Sequence, residues 1–188
     1  MKKIILNSTL FLLVIVLFNG CLTVERKEYS VTLTGANSGK AVIKYINIVS
    51  TKDEDRDVSM KDFAELITDY VEGKKLEDEF PNAKNLKKRL FEENGVLCGE
   101  LTFDFDSLTT VKIFKYDKDS PFMLVTNNFS NETLDDFDGQ MIDDKLPVVF
   151  WNKNIKKFTW STTVTSDVSN AVSLLSHYQN WEKTNKKK

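Results

Sequence analysis

The dipeptide Asn94-Gly95 constrains the folding of this chain more than any other pair of residues. Asn-Gly between alternating apolar segments is a strong signal for a two-residue hairpin, because both turn positions need positive φ and these residues accept it at least cost. Folding about the dipeptide pairs Glu93 with Val96, Phe91 with Cys98 and Arg89 with Glu100. One face then gathers Leu86, Leu90, Leu97, Leu101, Phe103 and Phe105, with Gly99 among them, and the other carries Arg89, Glu100, Thr102 and Asp104. A slip of one residue would send the apolar set to solvent, so turn and pattern specify one register. The segment before the turn also reads as a helix starting after Pro81, with the strand beginning only at Val96.

Other stretches carry the same period of two. Val24 to Leu33 alternates, with Tyr29, Val31 and Leu33 set against Glu28, Ser30 and Thr32. After the turn cluster Gly35 to Gly39, Ala41 to Val49 is apolar on both faces and belongs inside a sheet. Lys112 to Tyr116 and Phe122 to Thr126 predict a further hairpin, and the acidic stretch 127–145 reads as an excursion. Val148 to Trp151 and Ile155 to Val164 predict a third hairpin turning at Lys153-Asn154. Val149, Trp151, Phe158 and Trp160 would share one of its faces.

Two segments keep helical spacing instead. In 59–72, Ser59 and Asp62 suit an N-terminus, Val58 and Phe63 a hydrophobic staple, and Gly73 a stop. In 167–181, Asp167 is placed to cap a stripe of Val168, Ala171, Val172, Leu175 and Tyr178. Hairpins around two helices define an α+β class with a mainly antiparallel sheet.

The N-terminus has a different character. Lys2 and Lys3 precede an apolar run whose uninterrupted part, Leu10 to Phe18, is shorter than the roughly 17–25 residues a membrane-spanning helix needs. A basic flank, a short apolar centre and a small residue at the end form the layout of a signal peptide. Leu17-Phe18-Asn19-Gly20-Cys21 resembles the lipobox of bacterial lipoproteins; Gly20 and Cys21 fit that pattern, and Phe18 and Asn19 depart from it. The resemblance implies cleavage after Gly20, a diacylglyceryl thioether on Cys21, and anchoring at an extracytoplasmic membrane face. The other outcomes are secretion after Gly20 without a lipid and an uncleaved anchor.

On this reading residues 1–20 are removed and 22–188 form one globular domain ending in the basic tail Lys186-Lys187-Lys188. The removed part holds two lysines and no acid, so the remainder carries 24 basic and 28 acidic side chains, about −4 at neutral pH. There is no basic field of the kind that marks a nucleic-acid partner. Thirteen phenylalanines supply core material. With Cys21 acylated, Cys98 has no partner for a disulfide and reads as a packed hydrophobe, so packing alone must hold the domain.

Candidate chemistry is sparse. His177 is the single histidine, which excludes a multi-histidine zinc site and leaves any histidine-based triad dependent on it. Asp136, Asp138 and Gly139 match the middle of an EF-hand loop, but Leu134 and Lys145 stand where its anchoring ligands belong. Asp53, Asp55 and Asp57 fail the same test at Val58 and Ala64. No cofactor fingerprint or metal-ligand spacing occurs. Trp151 and Trp160 on one hairpin face could form a carbohydrate or lipid platform, while the face they share with Val149 and Phe158 favours packing in the core. These readings predict a lipid-anchored, extracytoplasmic, non-catalytic envelope protein with a binding or structural role. Its partners would be the membrane, through acyl chains on Cys21, and a protein or small-molecule ligand. Two alternatives stand beside it. A carboxylate-based envelope hydrolase would show convergent, pKa-shifted carboxylates in a cleft. A lipid-binding module would show an apolar cavity between sheet and helices.

Overall fold

Two long strands, β1 (Leu22–Leu33) and β2 (Gly39–Thr51), pair antiparallel through the middle of the larger of two sheets. The computed structural model describes residues 22–52, 56–126, 131–143 and 145–185. β3 (Lys84–Glu93) and β4 (Val96–Phe105) follow as the hairpin about Asn94-Gly95, in the register the sequence predicts: Glu93 opposite Val96, Phe91 opposite Cys98 and Arg89 opposite Glu100. Asn94 and Gly95 have φ of 51° and 77°, as a turn with two left-handed residues requires. The strand before the turn begins at Lys84, so the alternative of a helix after Pro81 does not occur. A bulge beside Asn85, at φ 52°, inserts one extra residue between Lys84 and Lys87.

The smaller strands are β5 (Ile113–Phe114), β6 (Phe122–Val125), β7 (Thr133–Phe137), β8 (Gln140–Met141), β9 (Val148–Trp151), β10 (Lys157–Thr163) and β11 (Ala171–Ser173). The larger sheet runs β3-β4-β2-β1-β10-β7, with β11 pairing the far end of β2, and the second runs β5-β6-β9-β8. The helical segments are α1 (Ser59–Glu65), a π-helix (Leu66–Val71), α2 (Lys75–Glu79), a 3-10 turn (Leu108–Val111) and α3 (Leu175–Asn185). The fold is α+β with antiparallel sheets.

Asn47, at φ 57°, is the backbone feature that organises the core. Asparagine tolerates this left-handed conformation, and the Asn47 side chain is held by donating to Glu25 Oε2 at 2.6 Å. The residue turns the alternation of β2 over, so that Tyr45 and Ile48, of opposite parity, both lie against Gly99. Two apolar clusters result. One lies between the sheets and holds Val31, Ile43, Leu101, Phe103, Phe105, Trp151, Phe158 and Trp160. The other lies under the helices and holds Val24, Ile48, Phe63, Leu66, Ile67, Leu97, Leu174 and Tyr178. Tyr45 and Tyr70 touch both. On the outer face, Arg89, Glu100, Lys44 and Glu28 lie opposite one another in turn across β3, β4, β2 and β1, alternating in sign.

Four expectations are corrected. Val148–Trp151 and 155–164 do not pair as a hairpin. β9 joins the second sheet and β10 the first, and their apolar faces meet across the layer instead of lying side by side. The acidic excursion contains β7 and β8, the former closing one edge of the larger sheet on β10. The second helix starts at Leu175, not near Asp167, whose carboxylate accepts from the Ser169 amide in a local turn. Residues 171–173 become a strand because β2 beyond Tyr45 has lost β4 as its neighbour, and its backbone groups at Val49 to Thr51 need partners. At the first helix, Ser59 is the first helical residue rather than the cap; Val58 stands at the N-cap, and the Asp57 carboxylate accepts from the Ser59 amide at 2.9 Å. The Ser59 hydroxyl faces His177, and Asp62 accepts from Ser50 Oγ at 2.6 Å.

A Cβ added at Gly95 meets nothing within 4 Å, so a substitution there is felt only through the backbone. Gly95→Ala is expected to lower the free energy of unfolding by about 1–2 kcal/mol, read from urea denaturation. Asn94→Gly should cost far less, since glycine keeps the left-handed conformation.

Candidate binding cleft

Where the two apolar clusters meet, their seam is incomplete. A cleft of about 450 Å3 opens between the larger sheet and the π-helix with α2. Its sheet wall is formed by Leu22, Val24, Ile48, Leu90 and Gly99, and its helical wall by Leu66, Val71 and Leu76. The volume is in the range of small-molecule sites, and the walls are predominantly apolar. Gly99 keeps the floor low, because a Cβ there would come within 3.2 Å of Ile48 Cδ1. The helical wall is π-helical at this point: the Glu72 amide donates to the Ile67 carbonyl at 2.8 Å, five residues back. That geometry adds a residue to the turn, and both Tyr70 and Val71 line the cleft. Short π segments of this kind recur at functional sites.

One end of the cleft is polar. Lys27 lies on β1 in the inward-facing series that continues through Tyr29, Val31 and Leu33. Its Nζ donates to Glu132 Oε1 at 2.5 Å, and the two side chains are only 15% and 13% exposed. Tyr29 Oη and Thr162 Oγ1 donate to Glu132 Oε2 at 3.0 and 2.6 Å. Burial by itself pushes the Glu132 carboxyl up; the hydrogen bonds from Lys27 and Thr162, the Lys27 charge and the Tyr29 bond outweigh it and hold the pKa below the ordinary range. Burial and the neighbouring Glu132 charge push the Tyr29 phenol well above its ordinary range. Burial does the same to Tyr45, whose hydroxyl has no hydrogen-bond partner among the described residues and whose ring lies 5.6 Å from Lys27 Nζ.

The cations at the cleft are already neutralised. Lys27 is paired with Glu132, and Lys88 with Glu77 at 2.9 Å and with the Gly73 carbonyl; Arg89 borders the cleft but its side chain lies on the outer face, paired with both oxygens of Glu100. Glu79 adds a further carboxylate to the lining. Among the described residues, the lysines that line the cleft are paired, so an anionic ligand group would meet no unpaired ammonium there, whereas an uncharged hydroxyl or ester group needs no counter-charge.

Other residues singled out by the sequence lie elsewhere. Trp151 and Trp160 are 3% and 4% exposed and pack in the layer between the sheets, with ring centroids 6.3 Å apart, so they present no open platform. Cys98 is fully buried beside β2, and burial pushes its thiol up. His177 Nε2 lies 3.1 Å from the buried Ser59 hydroxyl, where it ties α3 to α1; neither residue lines the cleft. Asp138 Oδ1 accepts from Trp151 Nε1 and the Thr159 amide, fastening the β7–β8 turn to both sheets. Among the described residues, no three of His, Cys, Asp and Glu converge closely enough to hold a metal ion. Among the described residues, the carboxyl groups with displaced pKa values, Glu132 among them, are all displaced downward, the wrong direction for a general acid near neutral pH. Cys21, the Gly20–Cys21 cleavage point, Asp53 and Asp55 lie outside the described residues, and no helix of those described is long and apolar enough to cross a membrane.

Sequence reasoning missed Lys27, Glu132, Tyr45 and Tyr70. The one signal available was the parity of Lys27: a lysine in an inward-facing apolar row requires a buried partner. Nothing in the sequence identified Glu132, about a hundred residues away, as that partner.

Removing Glu132 would leave the Lys27 ammonium buried without its counter-charge. Glu132→Gln is therefore expected to destabilise the fold by on the order of 3 kcal/mol at pH 7, measured by urea denaturation. The depressed carboxyl contributes in full above the unfolded glutamate value near 4.3 and loses its contribution as pH falls through its lower folded value. The gap between wild type and variant should accordingly close in acid.

Comparison with protein-family models, with curated proteins and with solved structures finds no match to this chain.

Proposed function

We propose that this chain is a lipid-anchored extracytoplasmic envelope protein, tethered through Cys21, and that its folded part is a non-catalytic binding module for a small amphiphile. The cleft carries the binding half of the reading. It is an apolar trough between sheet and helix with a single polar end, the arrangement suited to a ligand with a hydrocarbon body and one polar group. Charge balance at that end favours an uncharged head, because a carboxylate would be desolvated beside lysines already committed to glutamates. The tether half rests on the N-terminal sequence: the short apolar run and Gly20-Cys21. Two or three acyl chains would hold the domain at a membrane without a protein span.

Each half has its own test. An alkyne fatty acid fed to bacteria expressing the full chain should label the wild type and not Cys21→Ala; an unlabelled wild type, or equal labelling of the variant, removes the anchor. For the cleft, titration calorimetry below the critical micelle concentrations should show 1-monolauroylglycerol binding more tightly than laurate. Val71→Trp, which fills the cleft from its half-exposed wall, should weaken the glyceride at least tenfold. Equal binding by wild type and variant would rule the cleft out as the site.

A further inference from the structure

The first described residues of the chain form part of the cleft. Leu22, Thr23 and Val24 line it, and Leu22 packs against the cluster under the helices that includes Leu66. Cys21 is joined to Leu22 by a single peptide bond. A group on the Cys21 sulfur therefore starts within a few bond lengths of an apolar trough.

We infer that one acyl chain of the lipid on Cys21 occupies this cleft, so that the protein's own anchor is its nearest ligand. The inference rests on the anchor and cleft readings above and names the occupant they leave open. Three observations carry it. The attachment point is adjacent to the wall, so docking is intramolecular and the chain is present at an effective concentration no free amphiphile matches. An acyl chain is uncharged hydrocarbon, and the walls that begin at Leu22 are predominantly apolar, with the lysines that border them already paired to glutamates. The volume is that of a small-molecule site, and two or three chains are expected on the cysteine, so one can leave the bilayer while the rest keep the domain tethered.

A hydrocarbon chain gains about equally from a bilayer and from an apolar cleft, so the tether decides the balance locally. With one chain inside, the cleft wall is held toward the membrane, and a free amphiphile must displace that chain to bind. The anchor thereby becomes an intramolecular competitor for the site.

The test is photocrosslinking in isolated membranes. Bacteria expressing the full chain are fed a palmitate analogue carrying a diazirine and an alkyne, membranes are irradiated, and crosslinked peptides are mapped by mass spectrometry. The expected result is a peptide pair joined through the Cys21 lipid to segments holding Leu66, Val71 or Leu90, at least tenfold above pairs to the outer face around Lys44. Val71→Trp should reduce these pairs several-fold with incorporation on Cys21 unchanged. Labelled Cys21 with no such pairs, or cleft peptides carrying only free phospholipid adducts, would overturn self-docking and leave the anchor and the cleft standing. Absence of label on Cys21 would overturn the anchor and this inference together, while the glyceride titration still reports on the cleft.

Discussion

The left-handed residue Asn47, in the middle of the longest strand pair, is the constraint on which the rest of this structure depends. A regular strand presents one face to one layer. By turning the alternation over, Asn47 lets a single ribbon, β1 with β2, serve two layers: the second sheet along one half and the helices along the other. Its side chain is anchored on Glu25 of β1, whose own carbonyl accepts from the Val164 amide just past β10, so the inversion is tied to β1 and through it to the end of β10. Two cores built on one ribbon cannot close perfectly where they meet, and the cleft lies at that junction.

The polar end of the cleft follows from the same geometry. Lys27 sits on the inward side of β1 just where the alternation changes, and an ammonium there must be desolvated or paired. Glu132 pairs with it, and Tyr29 and Thr162 use the remaining lone pairs of the carboxylate. A buried pair of this kind adds little net stability over an apolar substitute, but it is costly to break. Its effect is directional: it fastens the segment entering β7 against β1 and β10 and leaves a closed, charge-balanced end to an otherwise apolar trough. The proposed preference for an uncharged ligand group rests on that balance.

Much of the local structure was legible in the sequence. The Asn94-Gly95 hairpin appears in its predicted register because turn chemistry and alternation are both local and agree. The strands 24–33 and 41–49 appear, slightly longer, for the same reason. The helix from Ser59 runs on to Val71 along the expected stripe, although its second half is π-helical and Val58 stands at its N-cap. The errors share one cause. Val149, Trp151, Phe158 and Trp160 do bury together, but alternation says only that residues need cover and not whether it comes from beside or from above. Residues 167–174 have helical periodicity and lost it to the unpaired edge of β2, a demand invisible from within the segment.

The sequence by itself determined the α+β class, the central hairpin and the elements that carry most of the core, because each depends on residues a few positions apart. It also carries the N-terminal features on which the proposed anchor rests. Tertiary structure alone decided that two aromatic faces close into an interlayer core rather than an open platform. It alone joined Lys27 to Glu132 across about a hundred residues and left a cleft beside Leu22. Those outcomes depend on where strands of distant sequence meet, and burial and pairing between such strands are satisfied only when the whole chain is folded.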